Sequence, residues 1–270
     1  MAKSISETAT DYITSFQRSY SSSYNNLKHR SGPYFPAFLT IGLVSFGLIS
    51  RLAWEDYRIF LSYGPGGMPY NVVGWLATNI LRVIGINTLD VWRLEADSDK
   101  RSWLEKGDLK ARKGERPQLG RHPVPQRQLD QIPSGDVPKE FLAKFRTLGE
   151  HNAHLVQFKL SKYEMHTDAL WVKDDSDVYA LDKKFNREIS HVHSGTDYSA
   201  HVVLAPQDAV TVIQKGWGQL HGLAGVMIVP KSYVLLYAPR SEEEIEVLVG
   251  IVRAAIGYMT GAVMGDVKSS

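Results

Sequence analysis

Four of the nine histidines lie between His191 and His221, and these side chains are the best suited to chemistry. The ordinary pKa of histidine lies near neutral pH, so an imidazole can act as a general base or, when neutral, as a metal ligand. His191, His193 and His201 are candidates for either role. A His-x-His pair with a third histidine can bind zinc, iron or copper, whereas one oriented imidazole can remove a proton. A third interpretation is that they only pack against a sheet, and the spacing leaves all three open.

Other side chains are candidates for contacts with a small ligand. Trp217 lies between two glycines, where a tight turn can present an indole to a flat aromatic molecule; an ordinary core tryptophan is the alternative. His221 follows four residues later, and His166 comes after a predicted strand. Arg127 can supply a cation to an enolate or a carboxylate, although a solvated charge is the default.

A β-hairpin is predicted to position the histidines around the turn Ser194-Gly-Thr-Asp197. Its strands cover residues 188–193 and 198–204. Side chains alternate along a strand, which places His191 and His193 on one side together with Ile189. His201 joins them only if it lies opposite His191, because a slip of one residue moves it to the other face.

The elements after the hairpin indicate the fold class. A helix begins at Pro206, and Tyr233–Tyr237 has the composition of a strand. The last helix begins at a capping box formed by Ser241 and Glu244 and ends at Gly261. We therefore predict an α+β fold, a mainly antiparallel sheet with flanking helices, preceded by one N-terminal apolar helix.

Three segments are predicted along the chain: a flexible or weakly helical segment (1–32), a membrane-anchor helix (33–54) and a catalytic domain (55–265). No charged residue occurs from Ser31 to Ser50, and about 20 apolar residues suffice to cross a bilayer. We expect a single-pass anchor in an intracellular membrane; a core helix and a cleaved signal are the alternatives. A second apolar stretch, Val72–Ile86, is predicted to be a core helix or a helix on a membrane surface.

The composition excludes two classes of function. Lysine and arginine number 31 and aspartate and glutamate 29, and a net charge of +2 argues against a nucleic-acid partner. The chain contains no cysteine, which excludes disulfides, thiolate metal sites and cysteine nucleophiles. The oligomeric state is not indicated by the sequence.

Taken together, short motifs along residues 52–261 resemble the luciferase family of bioluminescent fungi. The more specific part of the resemblance lies within residues 187–260, where several motifs recur in one order. These motifs are Arg187-Glu-Ile-Ser-His-Val-His193, Leu204-Ala-Pro-Gln-Asp208, Lys215-Gly-Trp-Gly-Gln219, Leu223-Ala-Gly225, Leu236-Tyr-Ala-Pro-Arg240 and Ile256-Gly-Tyr-Met-Thr260. Upstream, Ser161-Lys-Tyr-Glu-Met-His166 also fits.

The resemblance implies an enzyme that oxidises a styrylpyrone, 3-hydroxyhispidin, with molecular oxygen, releasing carbon dioxide and light. It implies no metal and no organic cofactor, with oxygen as co-substrate. On this interpretation His191, His193 and His201 are catalytic. The residues that bind the substrate are then Trp217, His221, His166, Arg127 and Tyr237.

The chain departs from the family near the expected pocket. After Gln219 it has Leu220-His221-Gly222, where the family usually has Arg-His-Pro, and Val226-Met-Ile-Val-Pro230 replaces a stretch rich in proline and glycine. These departures motivate an alternative, a non-luminous relative that binds or transforms another small aromatic metabolite. A histidine-ligated metalloprotein is the other alternative.

Overall fold

The chain divides into two compact units, Met1–Arg58 and Ile59–Ser270. Two N-terminal helices make up most of the first unit. The computed structural model describes residues 5–104, 109–180 and 187–263. Helix α1 covers Ile5–Ser31, where the sequence predicted a flexible or weakly helical segment, and a single 3₁₀ turn leads into α2 (Phe35–Ser62). By length and composition alone, the 31 residues Gly32–Ser62 form a candidate membrane span, and few of its side chains are buried.

The second unit is built on one antiparallel sheet of six strands in the order β1-β2-β3-β4-β6-β5. The strands are β1 (Val156–Leu160), β2 (Asp168–Val172), β3 (Glu188–Val192), β4 (Ala200–Val203), β5 (Gly218–Leu220) and β6 (Tyr233–Leu236). With the helices described below, this sheet confirms the α+β prediction.

Five helices accompany the sheet among the described residues of this unit. They are α3 (Val72–Val83), α4 (Trp92–Glu95), α5 (Val137–His151), α6 (Pro206–Gln214) and α7 (Glu242–Thr260). Helix α7 packs across the central strands and against α5. Its predicted ends are confirmed: the Ser241 hydroxyl accepts a hydrogen bond from the Glu244 N–H, and Gly261 adopts the left-handed conformation (φ 75°) that ends many helices.

The proline-rich segment before α5 has little regular structure in its described part. Residues 109–136 contain one isolated bridge, Leu119 to Gln128, and several bends, and the part from His122 to Gln128 is largely buried. This path brings Arg127 and its neighbours to the histidine-bearing strands, although they lie far away in sequence.

Candidate active site

The hairpin has the register that brings the histidines together. Strands β3 and β4 pair with His191 directly opposite His201. The turn between them is closed by hydrogen bonds to the His193 carbonyl from the Tyr198 N–H (3.2 Å) and the Thr196 hydroxyl (2.9 Å). Directly opposed residues of an antiparallel pair have their Cβ atoms roughly 5 Å apart, so both imidazoles project into the same space.

Four imidazoles form one group, which we call the imidazole cluster: His191, His193, His201 and His221. Ring centroids are 5.3 Å apart for His191 and His193, 5.3 Å for His191 and His201, and 4.9 Å for His193 and His201. His221, just after β5, lies 5.1 Å from His201. All four side chains are buried. The structure therefore assembles every histidine of the 191–221 stretch at one place.

Glu188 orients His191. Its Oε1 lies 2.7 Å from His191 Nδ1, and the same carboxylate accepts hydrogen bonds from the Ser161 hydroxyl (2.8 Å) and the Lys162 N–H (2.7 Å). A carboxylate acceptor holds the imidazole proton on Nδ1 and leaves the Nε2 lone pair available. The Nε2 atom is buried and makes no hydrogen bond to the described residues.

Strict alternation predicted Ile189, not Glu188, beside His191. A β-bulge explains the difference, because Leu170 pairs with Ser190 while the next residue, Trp171, pairs with Glu188. The extra residue interrupts the alternation of side chains. Ile189 instead belongs to the hydrophobic core. A bulge has no clear signature in this sequence, so sequence reasoning missed Glu188.

Asp197 plays the corresponding part for His193. Its Oδ1 lies 3.2 Å from His193 Nδ1 and accepts a hydrogen bond from the Ser199 hydroxyl (3.0 Å). Burial raises the pKa of Asp197, and burial together with the nearby Arg127 cation lowers the pKa of His193 well below its usual range. His193 is therefore a neutral imidazole at physiological pH.

His201 and His221 are held neutral as well. Burial lowers the pKa of His201 well below its usual range and that of His221 to about 3. The Leu223 N–H donates to His221 Nδ1 (3.1 Å), which assigns the single proton of that neutral ring to Nε2. His221 lines the cavity described below, so it can donate a hydrogen bond to a bound oxygen atom.

Tyr233 completes the polar end of the site, and sequence reasoning missed it. Its ring stacks on His201 with centroids 4.8 Å apart and planes inclined by 16°. Burial raises the pKa of its hydroxyl well above the usual value, and the buried oxygen has no hydrogen-bond partner among the described residues. Tyr233 is thus a protonated phenol with a donor to offer a ligand.

A cavity of about 500 Å³ opens beside the cluster. This volume suits a drug-sized molecule. His191, His201, His221 and Tyr233 lie on its wall. The remaining wall is mostly apolar and includes Met68, Ala77, Ile80, Leu81, Val124, Pro125, Leu223, Met227, Ile228 and Val229. The arrangement places acid–base groups and hydrogen-bond donors at one end of an otherwise apolar chamber.

Arg127 reaches the cavity wall, but its donors are engaged within the protein. The guanidinium pairs with the buried carboxylate of Glu164 and donates to the carbonyls of Tyr63 (3.1 Å) and Pro65 (2.8 Å). The backbone at Gly66 passes so close that a Cβ there would collide with the guanidinium. Arg127 therefore joins the 63–67 turn to the wall of the site.

Three of the residues predicted to bind substrate are not brought to this wall. Trp217 is a core side chain whose indole N–H donates to the Lys110 carbonyl (2.7 Å). The Tyr237 hydroxyl donates to Gln219 Oε1 (2.9 Å), and His166 Nδ1 lies 2.8 Å from the Glu164 carbonyl. None of the three is among the cavity-lining residues of the described chain. The alternative weighed for Trp217, an ordinary core anchor, describes its position.

The neutral histidines give the stability of the protein a defined pH dependence. The pKa of His221 is about 3 in the folded chain and about 6.5 when unfolded. The unfolded state therefore binds the extra proton between these values, and this contribution to stability is complete above about pH 6.5 and is lost as pH falls toward 3, by about 1.4 kcal/mol per pH unit.

Denaturant unfolding of the detergent-solubilised chain at a series of pH values measures this slope. His221→Gln should reduce the slope of the free energy of unfolding against pH by the contribution of about one proton. Replacing the exposed His154 by glutamine should leave that slope unchanged. An unchanged slope in His221→Gln would contradict the assignment.

The described residues thus form an apolar cavity with a buried imidazole cluster at one end, an arrangement that suits a small-molecule site. Comparison with known proteins identifies the class. The sequence profile of the luciferase domain matches residues 186–255. The chain is 36% identical to a luciferase of Armillaria ostoyae and 35% identical to one of Armillaria mellea, in each case over 83% of this chain and 86% of the relative.

A luciferase of Neonothopanus nambi is 32% identical over 83% of this chain and 86% of its own length. The chain therefore belongs to the fungal luciferase family, as its motifs predicted. No solved structure matches it.

Proposed function

We propose that the chain is a luciferase-type oxygenase that oxidises a 3-hydroxyhispidin-like styrylpyrone with molecular oxygen, releasing carbon dioxide and light. The observation that carries the proposal is the apolar cavity of about 500 Å³ with buried imidazoles and Tyr233 at one end. A flat aromatic substrate with an acidic enol can place its rings against the apolar wall and its enol beside the imidazoles. Membership of a family whose relatives are called luciferases supports the same reaction.

His191 is the proposed base. Its Nδ1 proton is held by Glu188, so Nε2 can accept the enol proton, and the imidazolium that results lies beside a carboxylate. His221 Nε2–H and the Tyr233 hydroxyl supply donors for the enolate oxygens, where negative charge develops. His201 lies on the cavity wall beside the base, and His193, which does not line the cavity, lies behind it with its ring centroid 5.3 Å from that of His191.

The electrons come from the substrate. The enolate is oxidised by O₂, both oxygen atoms remain in the products, and carbon dioxide leaves from the pyrone ring, so no external reductant is required. We propose that oxygen is the only co-substrate and that no cofactor takes part. The apolar walls exclude water, which would otherwise quench or divert the excited product.

We also propose that α2 anchors the chain in an intracellular membrane by a single pass. The length of Gly32–Ser62 and its exposed apolar side chains support this proposal. Resistance of the chain to alkaline extraction from membranes would support the anchor, and release of the chain would contradict it.

The test of the reaction is addition of 3-hydroxyhispidin in air to the full chain in detergent, with simultaneous measurement of oxygen uptake and light. Uptake with light is the expected result. Uptake without light would favour a non-luminous oxygenase. The absence of both oxygen uptake and light would overturn the proposal. Binding of other small aromatic metabolites would then be the function to examine.

A second candidate, a histidine-ligated metal centre, is favoured by the geometry of three rings. One ring nitrogen from each of His191, His193 and His201 lies within 4.8 Å of the others. Imidazoles around one tetrahedral ion, with bonds of about 2 Å, have ring centroids roughly 5 Å apart, close to the observed 4.9–5.3 Å. Binding would draw the nitrogens to roughly 3.5 Å from one another.

The carboxylates fit this candidate as well. Glu188 and Asp197 contact the Nδ1 atoms of His191 and His193, as carboxylates commonly do behind metal-bound imidazoles. Elemental analysis of protein purified without chelators, together with the visible absorption of added Co²⁺, tests it. One ion per chain that is lost in the His201→Asn variant would support a metal centre. The absence of stoichiometric metal, together with the absence of a Co²⁺ spectrum, would exclude this candidate.

A further inference from the structure

Helix α3 exposes its apolar side chains and packs through its small ones. Its buried residues are Gly74 and Thr78, whereas Val73 is 62% exposed, Leu76 51% and Ile80 70%. A helix on the surface of a water-soluble domain has the opposite arrangement, with its apolar stripe toward the core. The outward face of α3 therefore meets something other than water.

A second apolar projection lies next to this helix at the cavity. In the turn 226–229, Met227 and Ile228 are 66% and 65% exposed. Met227 has a positive φ of 50°, a conformation that non-glycine residues seldom adopt.

The two projections frame the mouth of the cavity. Three residues of the cavity wall, Ile80, Met227 and Ile228, are strongly exposed. His191 and His201, at the other end of the cavity, are buried. Lys162, which is exposed, also belongs to the wall. An exposed apolar rim with a cation beside it suits contact with the headgroup region of a bilayer.

We propose that α3 and the turn 226–229 insert into the headgroup region of a lipid bilayer, so that the cavity opens toward lipid. This inference rests on the proposed membrane anchor. The candidate span ends at Ser62, and nine residues separate it from Val72, so the two lie at most about 36 Å apart even with this segment fully extended. Helix α3 carries Arg82 and no acidic residue, which suits a bilayer with anionic lipids.

The absence of cysteine makes a direct test possible, because a single introduced cysteine can be labelled cleanly. Ile80→Cys and Met227→Cys, each in the full chain, carry an environment-sensitive fluorophore. The control is His154→Cys, an exposed position that does not line the cavity. Each labelled chain is placed singly in nanodiscs of phosphatidylcholine with about one fifth phosphatidylserine, with or without spin-labelled lipid.

Labels at positions 80 and 227 should show blue-shifted emission and lose roughly half of it to spin-labelled lipid, while the label at position 154 should not respond. If all three labels behave alike, the proposal is wrong. A shift that requires two chains in one nanodisc would also overturn it, because the surface would then be an interface between copies. Alkaline extraction tests the anchor separately, so failure of the anchor and failure of the docking surface are distinguishable.

Discussion

Replacing His191 by alanine is expected to lower the rate of light emission by about 10²–10⁴-fold, the range typical for loss of a general base. His191 is the cavity-lining imidazole whose Nδ1 is fixed by a carboxylate, at 2.7 Å from Glu188. The measurement is the initial rate of luminescence and of oxygen uptake with 3-hydroxyhispidin at saturating concentration.

Two further variants separate a chemical role from a structural one. His191→Asn keeps an amide donor near Glu188 but removes Nε2, so it should fold like the original chain and remain as inactive as His191→Ala. Added imidazole should restore part of the activity of His191→Ala, because the deleted ring leaves space for it. His154→Ala, at an exposed site, should retain full activity. An active His191→Asn would exclude His191 as the base.

Replacing Arg127 by methionine is expected to destabilise the domain by about 3–5 kcal/mol, the usual effect of removing one partner of a buried ion pair. The side chains of Arg127 and Glu164 are 3% and 5% exposed. The variant leaves the Glu164 charge buried without its cation, and the carbonyls of Tyr63 and Pro65 lose a donor. Denaturant unfolding of the detergent-solubilised chain measures the change.

Two comparisons test the cause. Glu164→Gln added to Arg127→Met should recover part of the loss, because the uncompensated charge disappears. Lys144→Met removes a solvent-exposed pair with Glu246 and should change stability little. If Arg127→Met is as stable as the original chain but has a raised KM, Arg127 is mainly a substrate contact, as the sequence suggested.

The elements that carry the histidines were predictable because they obey local rules. The hairpin follows from two short strands around a turn containing glycine, and the last helix from a capping serine and a terminal glycine. The register was not predictable, since His191 opposite His201 depends on how β4 pairs with β3 and β6 in the complete sheet. Only tertiary structure decides between registers that differ by one residue.

The partners of the histidines were harder to foresee. Glu188 reaches His191 through a bulge, and Tyr233 reaches His201 across two paired strands. Trp217 and Tyr237 looked like ligand contacts because of their residue types and motifs, yet their polar atoms bond to Lys110 and Gln219 inside the fold. Residue type indicates what a side chain can do, whereas the chain path decides what it meets.

The two ends of the cavity belong to different kinds of structure. The imidazoles at the buried end come from the sheet strands and the residues that directly follow them, and their chain neighbours Ile189, Val192 and Leu220 belong to the hydrophobic core. The rim comes from α3 and from a short turn, and its side chains Ile80, Met227 and Ile228 are exposed. Substitutions at the rim should therefore be tolerated more readily than substitutions at the buried end. A lineage can in this way acquire a new substrate, or lose light emission, without rebuilding the fold.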